Sequence, residues 1–494
     1  MLIKNAKCWD VVKREYFKTD IRISNGKIVR MASGQPVYQD TEYYNLDGKF
    51  VYPSFIDSHM HLLGVGETLV NPVLNEVKSK EELSEIIKNI EEEIIVLNGW
   101  NEDVLGFCPD RKYLDEIIND RPVVLIRRCY HMASVNTKAV EYFKLDKYDG
   151  VDETDIENGF IKENVLSVIH SGMPDMKLKR IKELLSVSAN HLKSYGISSV
   201  HSDDFHSMSF EDLMKFGKEN TEIRIFEKIN PGNHKKIDKF LENYARDFDD
   251  YSEFWSMKSL KLFMDGSLGA RTAFLTSPYV GDTENYGVPL MSEAELTGII
   301  KKAQKKKIAV MIHCIGDAAL EICLNAFEKT IESGNPLRHR LIHVQMASEK
   351  QLERIKKLGL YLSVQPVFYD SDFKLASEIL GEERLREIGY PFDKMNEMDI
   401  EFSLSTDAPV EHINPFINLS STMRFMPLEE AFYRYTYSAA KAEGSEKFKG
   451  KIAEGCFADM FVSDRDLFSL NTEELRDFIP EKVLFDGKWF EKPE

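Results

Sequence analysis

Short apolar runs that close on a polar or charged residue recur along this chain. Phe50–Ile56 leads into Asp57-Ser58-His59-Met60-His61, Ile308–Ile312 into His313, Leu341-Ile342 into His343, and Phe402-Ser403-Leu404 into Ser405-Thr406-Asp407. Runs of that length and character suit strands covered on both faces, and the stretches between them are long enough for helices. Counting back from Asp407, strands are predicted to end near Asp407, Val364, His343, His313, Met264, Lys228 and His201, and the His61 run supplies an eighth. Eight parallel strands alternating with helices close a (β/α)8 TIM barrel, so the predicted class is α/β.

Two further apolar runs, Glu93–Trp100 and Pro122–Arg128, fall between the first barrel strand and Gly196–Val200. They are surplus to the barrel. Residues 65–190 are therefore expected to form an inserted subdomain over the barrel mouth, where insertions become binding walls. The chain ends have a different style. Asn25-Gly26 and Asp47-Gly48 are hairpin signals, and Ala458–Val462 and Val483–Phe490 are strand-like. Residues 1–50 plus 451–494 are predicted to pair as a small β-sandwich domain beside a barrel of residues 51–450.

Two imidazoles two residues apart on a strand point the same way and can close on one metal ion, although His-x-His alone also fits a polar strand face. The repeated endings strengthen the metal reading. Histidine nitrogen and carboxylate oxygen suit zinc and similar divalent ions, and a catalytic site keeps one position open for water. Lys261 lies inside the run Met257–Asp265, where an ammonium is costly to bury, so it is either paired with a carboxylate such as Asp265 or chemically modified.

At this point the chain resembles the amidohydrolase superfamily, in its branch of YtcJ-like metal-dependent hydrolases that includes N-substituted formamide deformylases. The resemblance runs over nearly the whole chain. It rests on Phe55–His61, Gly99-Trp100-Asn101, Asp265–Ala273, His313–Asp317, Ser363–Pro366 and Ser405–Pro409. It implies His59, His61, His313, His343 and Asp407 as metal ligands, and Lys261 as the lysine that carries a carbon dioxide-derived carbamate bridging two divalent ions, with two Zn ions expected. Such a pair supplies hydroxide and polarises a carbonyl, while Asp407 shuttles the proton to the leaving amine.

Composition changes the picture mainly by exclusion. The 494 residues, 43% hydrophobic, suffice for one large domain and a smaller one. A net charge of −18 argues against nucleic acid, and Lys301–Lys307 looks like the solvated end of a helix. No apolar run reaches the length of a membrane span, Met1 leads straight into a strand, and six cysteines show no pairing pattern, so a cytoplasmic protein is expected. Cys314, beside His313, is expected to be a small hydrophobe. A homodimer is the assembly considered.

Candidate substrate contacts lie in and around the insertion. Trp100 can stack on an apolar group or belong to a core. His131, in Tyr130-His131-Met132-Ala133, resembles the family's Gly-His-Ser-Ala segment, with tyrosine in place of glycine, and can serve catalysis by bonding an oxyanion. Glu163, Arg271 and Gln365 complete the set, Arg271 as a carboxylate clamp or a loop brace. The expected activity is hydrolysis of an amide or cyclic amide C–N bond in a small molecule by a metal-activated hydroxide. A mononuclear deaminase and a non-catalytic ligand-binding barrel are the alternatives; the deaminase's proton-shuttling glutamate would fall at Gly316.

Overall fold

The computed structural model describes residues 1–37, 42–72, 74–127, 132–147, 153–162, 168–169, 172–174, 176–205, 208, 210–231, 234–243 and 252–491. Eight strands form the central sheet: β1 (Phe55–Asp57), β2 (Ile197–Ser202), β3 (Arg224–Ile229), β4 (Trp255–Phe263), β5 (Ala309–Cys314), β6 (Arg340–His343), β7 (Tyr361–Val364) and β8 (Phe402–Leu404). They pair in parallel in chain order. Ser58 N donates to Leu404 O at 3.2 Å, and Ser58 Oγ reaches the same oxygen at 2.9 Å, so the end of β1 meets β8 and the barrel closes.

Parallel neighbours need crossovers, and the sequence punctuates them. Ser292 and Glu295 form a capping box at the start of Glu293–Lys305, and Ser348 and Gln351 form one at Glu349–Leu358. The latter helix stops at Gly359, whose φ of 64° is open to glycine without strain. Register then sets the site, because Phe263 of β4 lies beside His313 of β5, and Cys314 beside His343 of β6.

The barrel interior is more polar than a layered aliphatic core. Arg340 Nη1 bonds His201 Nδ1 at 2.8 Å and Ser363 Oγ at 3.1 Å, Nη2 reaches Ala442 O at 2.8 Å, and His201 Nε2 lies 3.1 Å from Glu443 Oε2. All four of these side chains are buried, so pairing is what makes the polar column tolerable.

The two chain ends together build one eight-stranded sheet. Its order runs from Lys488–Phe490 through Lys482–Phe485, Met460–Ser463, Phe50–Pro53, Leu2–Asp10 and Glu15–Ser24 to Lys27–Met31, with Tyr43–Asn45 beside Leu2–Asp10. Asn25-Gly26, Asp47-Gly48 and Asp486-Gly487 all have positive φ at both residues, the geometry such dipeptides favour.

By compactness the chain divides into Met1–Gly64 with Leu185–Glu494, and Val65–Leu184. The second unit holds a four-stranded sheet ordered Phe160–Lys162, Met132–Val135, Val123–Arg127, Ile95–Trp100. Val123 and Leu125 enter one apolar cluster and Val124 and Ile126 another, so this strand is covered on both faces as its unbroken apolar run requires. The sequence pointed to two of these strands; Met132–Val135 and Phe160–Lys162 are short and carry too little apolar signal to stand out. No described helix is long and apolar enough to cross a membrane.

Candidate metal centre

His59 and His61 follow β1 directly, and Asp407 lies three residues beyond β8, so barrel closure brings them together. Asp407 Oδ1 is 3.2 Å from His59 Nε2 and 3.5 Å from His61 Nε2. That oxygen is buried and has no hydrogen-bond partner among the described residues. Ligand atoms of His59, His343 and Asp407 lie within 4.8 Å of one another, as do those of His59, His61 and Asp203.

The far side of each ring is held by a different partner. His61 Nδ1 lies 2.8 Å from Asp204 Oδ1. His343 Nδ1 bonds Gln365 Oε1 at 2.9 Å, and Gln365 Nε2 donates to Ser405 Oγ at 2.8 Å. His59 Nδ1 meets Lys228 Nζ at 2.8 Å, and Lys228 also donates to His201 O at 2.7 Å. With Nδ1 facing an oxygen acceptor, His61 and His343 can each present a bare Nε2, the tautomer logic by which protein imidazoles are aimed at an ion, whereas the Nδ1 partner of His59 is an amine.

His313 joins through its neighbours. Its ring centroid is 4.6 Å from that of His343, and its Nε2 lies 3.1 Å from Gly266 O. Lys261 Nζ pairs with Asp203 Oδ2 at 2.6 Å and lies 4.6 Å from the centroid of Phe263. Its carboxylate is thus Asp203 and not Asp265, which instead accepts from the backbone N–H groups of Phe274, Ile315 and Gly316. His343 and Asp407 have φ of 76° and 58°, a left-handed conformation that is costly for residues with a β-carbon and gathers at functional sites.

Electrostatics divide the imidazoles. Burial, with Lys228 and Lys261 behind it, holds His59 well below the usual histidine range, and burial with Lys261 brings His313 to about 4. His343 is likewise lowered by burial and by His313. For His61 burial pulls downward, yet Asp203 and Asp204 outweigh it and raise the group well above its ordinary value. Neutral imidazoles offering lone pairs, a cluster of carboxylates that favours positive charge and an orphaned buried carboxylate oxygen are the chemistry of a divalent-ion site.

Comparison with known proteins agrees. Residues 42–489 match the family described as Amidohydrolase family. The chain belongs to the amidohydrolase family. This amidohydrolase is 29% identical over 492 residues to YtcJ of Bacillus subtilis (strain 168), named as an amidohydrolase, covering 91% of this chain and 90% of that one. It is 24% identical over 530 residues to an N-substituted formamide deformylase of Arthrobacter pascens, covering 99% and 97%. A metal-dependent hydrolase from Pyrococcus horikoshii OT3 superimposes with a TM-score of 0.83 at 30% identity, covering 96% of this chain and 99% of that one. The protein is a metal-dependent hydrolase of this family.

Among the substrate residues expected for the amidohydrolase, His131 and Glu163 lie outside the described residues. Trp100 is corrected. It is 1% exposed, its Nε1 donates to Leu125 O at 2.8 Å, and it packs with Leu97, Leu114 and Leu125, so it is core of Val65–Leu184 and not a stacking surface. Gln365 is also corrected, because both ends of its buried amide are engaged by His343 and Ser405. Arg271 sits half-buried in the loop after β4. Cys314 is buried and its thiol is pushed up by burial, which leaves it inert as expected. Sequence reasoning passed over Asp203, Asp204 and Lys228; the signal was present as charged residues at the ends of predicted strands, at His201-Ser202-Asp203-Asp204 and Glu227-Lys228.

Proposed function

We propose that this protein hydrolyses a C–N bond, an amide or cyclic amide, in a small molecule. The observation that carries it is the convergence of His59, His61, His343 and the orphaned Asp407 Oδ1 at the carboxyl ends of barrel strands, with His313 and Lys261 beside them. In this reading His59, His61, His313, His343, Asp407 and a carbamylated Lys261 hold two divalent ions, with zinc matching the donor set. Such ions, when bound, supply hydroxide near neutral pH and polarise a carbonyl. Asp407 takes the proton of the attacking water and delivers it to the leaving amine, the role of a carboxylate that keeps one oxygen free of other partners. His131 is assigned to the developing oxyanion.

The deaminase alternative is disfavoured by more than residue type. A β-carbon at Gly316 would lie 2.0 Å from Phe274 O, so the loop after β5 has no room for a glutamate there without moving backbone. A panel of formamides, acyl amides and cyclic amides, assayed with metal-reconstituted protein, tests the proposal. Turnover is expected on at least one class, and Asp407→Asn is expected to lose about two to four orders of magnitude in kcat while retaining the fold. Deamination without amide cleavage, or near-wild-type turnover by Asp407→Asn, overturns it.

A further inference from the structure

Two half-buried carboxylates stand beside the candidate centre without a cation. The helix Val367–Leu380 begins just beyond β7 and lays Phe368 against His343, the ring centroids 6.4 Å apart and the planes 28° from parallel. Residues four apart share a helix face, so Asp372 lies one turn beyond Phe368 on the same side. Asp370, two residues before it, is turned away. It takes up the arginines of this region, at 3.3 Å from Arg424 Nη2 and 3.3 Å from Arg476 Nη2. Glu411 approaches from the loop after β8, where Val410 N donates to Asp407 O at 2.9 Å.

Burial raises Asp372 to about 6. Burial likewise raises Glu411, against a hydrogen bond from Ser371, and the charges of Asp372 and Asp407 add to the rise. The two carboxylates therefore lie in each other's field, and neither is ion-paired among the described residues. A third polar group is left over at the same place. Tyr390 is 2% exposed, its N donates to Gln345 O at 2.6 Å two residues past His343, and its ring centroid is 5.6 Å from that of Tyr369. Its hydroxyl is buried with no partner among the described residues and lies in the field of Asp372. Phe373 and Val410, the chain neighbours of the two carboxylates, are 43% and 54% exposed. Half-buried carboxylates are costly to leave without a cation, and open apolar surface beside them suits the stem of an amphipathic amine.

We propose that Asp372 and Glu411 bind an ammonium carried by the substrate away from the scissile bond, which makes the substrate class a small N-acylated amine with a second, cationic amino group. This rests on the hydrolase reading and narrows it. The three donors of a primary ammonium find two carboxylates and the phenol oxygen of Tyr390, whereas a methyl group in its place finds no partner. Because Phe368 lies on His343 and Glu411 follows Asp407 by four residues, the grip on the ammonium orients the amide relative to both candidate ligands.

The test is calorimetric binding of matched pairs to metal-loaded wild type, Asp372→Asn, Glu411→Gln and the double variant, with hydrolysis followed in the same samples. The pairs are mono-N-formyl and mono-N-acetyl derivatives of short diamines, and the alkyl amides in which a methyl group replaces the ammonium. The amine of at least one pair is expected to bind wild type about 10- to 100-fold tighter than its alkyl partner, the range for a hydrogen-bonded charge pair. Each single variant should reduce that ratio and the double variant should erase it, with the melting temperature holding the variants to be folded. Amines that bind wild type no better than alkyl amides overturn the proposal. So does a ratio that survives in the folded double variant, which would trace the attraction to the net charge of the chain. Failure of wild type to hydrolyse any amide, with the binding ratio intact and sensitive to the variants, counts against the hydrolase reading instead.

Discussion

Asp204 grips His61 and the chain that follows it with one carboxylate: Oδ1 lies 2.8 Å from His61 Nδ1, while Oδ2 accepts from Leu63 N at 2.7 Å. The ring is therefore oriented by the same group that starts the helix Leu62–Val70. Asp204→Asn keeps an oxygen for the backbone but weakens the hold on the imidazole. Its affinity for zinc or cobalt, measured by titration with a competing chelator, is expected to fall about 10- to 100-fold, with the visible spectrum of the cobalt form altered. Unchanged affinity and spectrum would show that His61 needs no such partner.

Lys261 and Asp203 form a buried ion pair at 2.6 Å, and burial opposes the ionisation of Asp203 while Lys261 lowers its pKa. Removing the lysine leaves that carboxylate without its cation. Lys261→Ala is expected to lower metal content and activity together, with bicarbonate or short carboxylic acids restoring part of both if a carbamate is the native ligand. Elemental analysis decides it. A wild type that saturates at one ion per chain, matched by Lys261→Ala, excludes a bridged pair.

The barrel and the candidate residues at its strand ends were legible because a barrel strand buried on both faces is an apolar run, and a charged or imidazole residue closing it stands out. His313 and His343 illustrate this, each ending such a run. Asp203 and Asp204 did not stand out. They follow β2 in a stretch that, read locally, is an ordinary polar turn, and only barrel closure shows Asp204 at His61 and Asp203 at Lys261. Trp100 misled for the converse reason: a tryptophan after a strand looks available, and its burial depends on Leu114, Leu125 and other residues distant in sequence.

Buried neutral histidines make stability depend on pH. His339 is brought to about 4 by burial, its Nδ1 accepting from Val310 N at 2.9 Å, and His201 is brought to about 3 by burial despite Glu443. Both folded pKa values lie below the unfolded histidine value near 6.5. Their stabilising contribution is complete above that value and is lost as pH falls toward 4, because the unfolded chain takes the proton first. The melting temperature of metal-free protein should drop between pH 7 and 4.5, and less steeply in His339→Gln. Equal slopes in the two proteins would show that His339 is not held neutral.

Trp100→Ala separates a core role from a substrate role. The indole fills space among Leu97, Leu105, Leu114 and Leu125, and its Nε1 satisfies Leu125 O. Truncation leaves a cavity, a loss of about 3–5 kcal/mol in the stability of that unit. Denaturant unfolding followed by limited proteolysis should therefore show residues 65–184 opening earlier than in wild type. Amides of different size should keep their relative KM values wherever the variant remains folded. A selective rise in KM for bulky amides, without loss of stability, would return Trp100 to the substrate site.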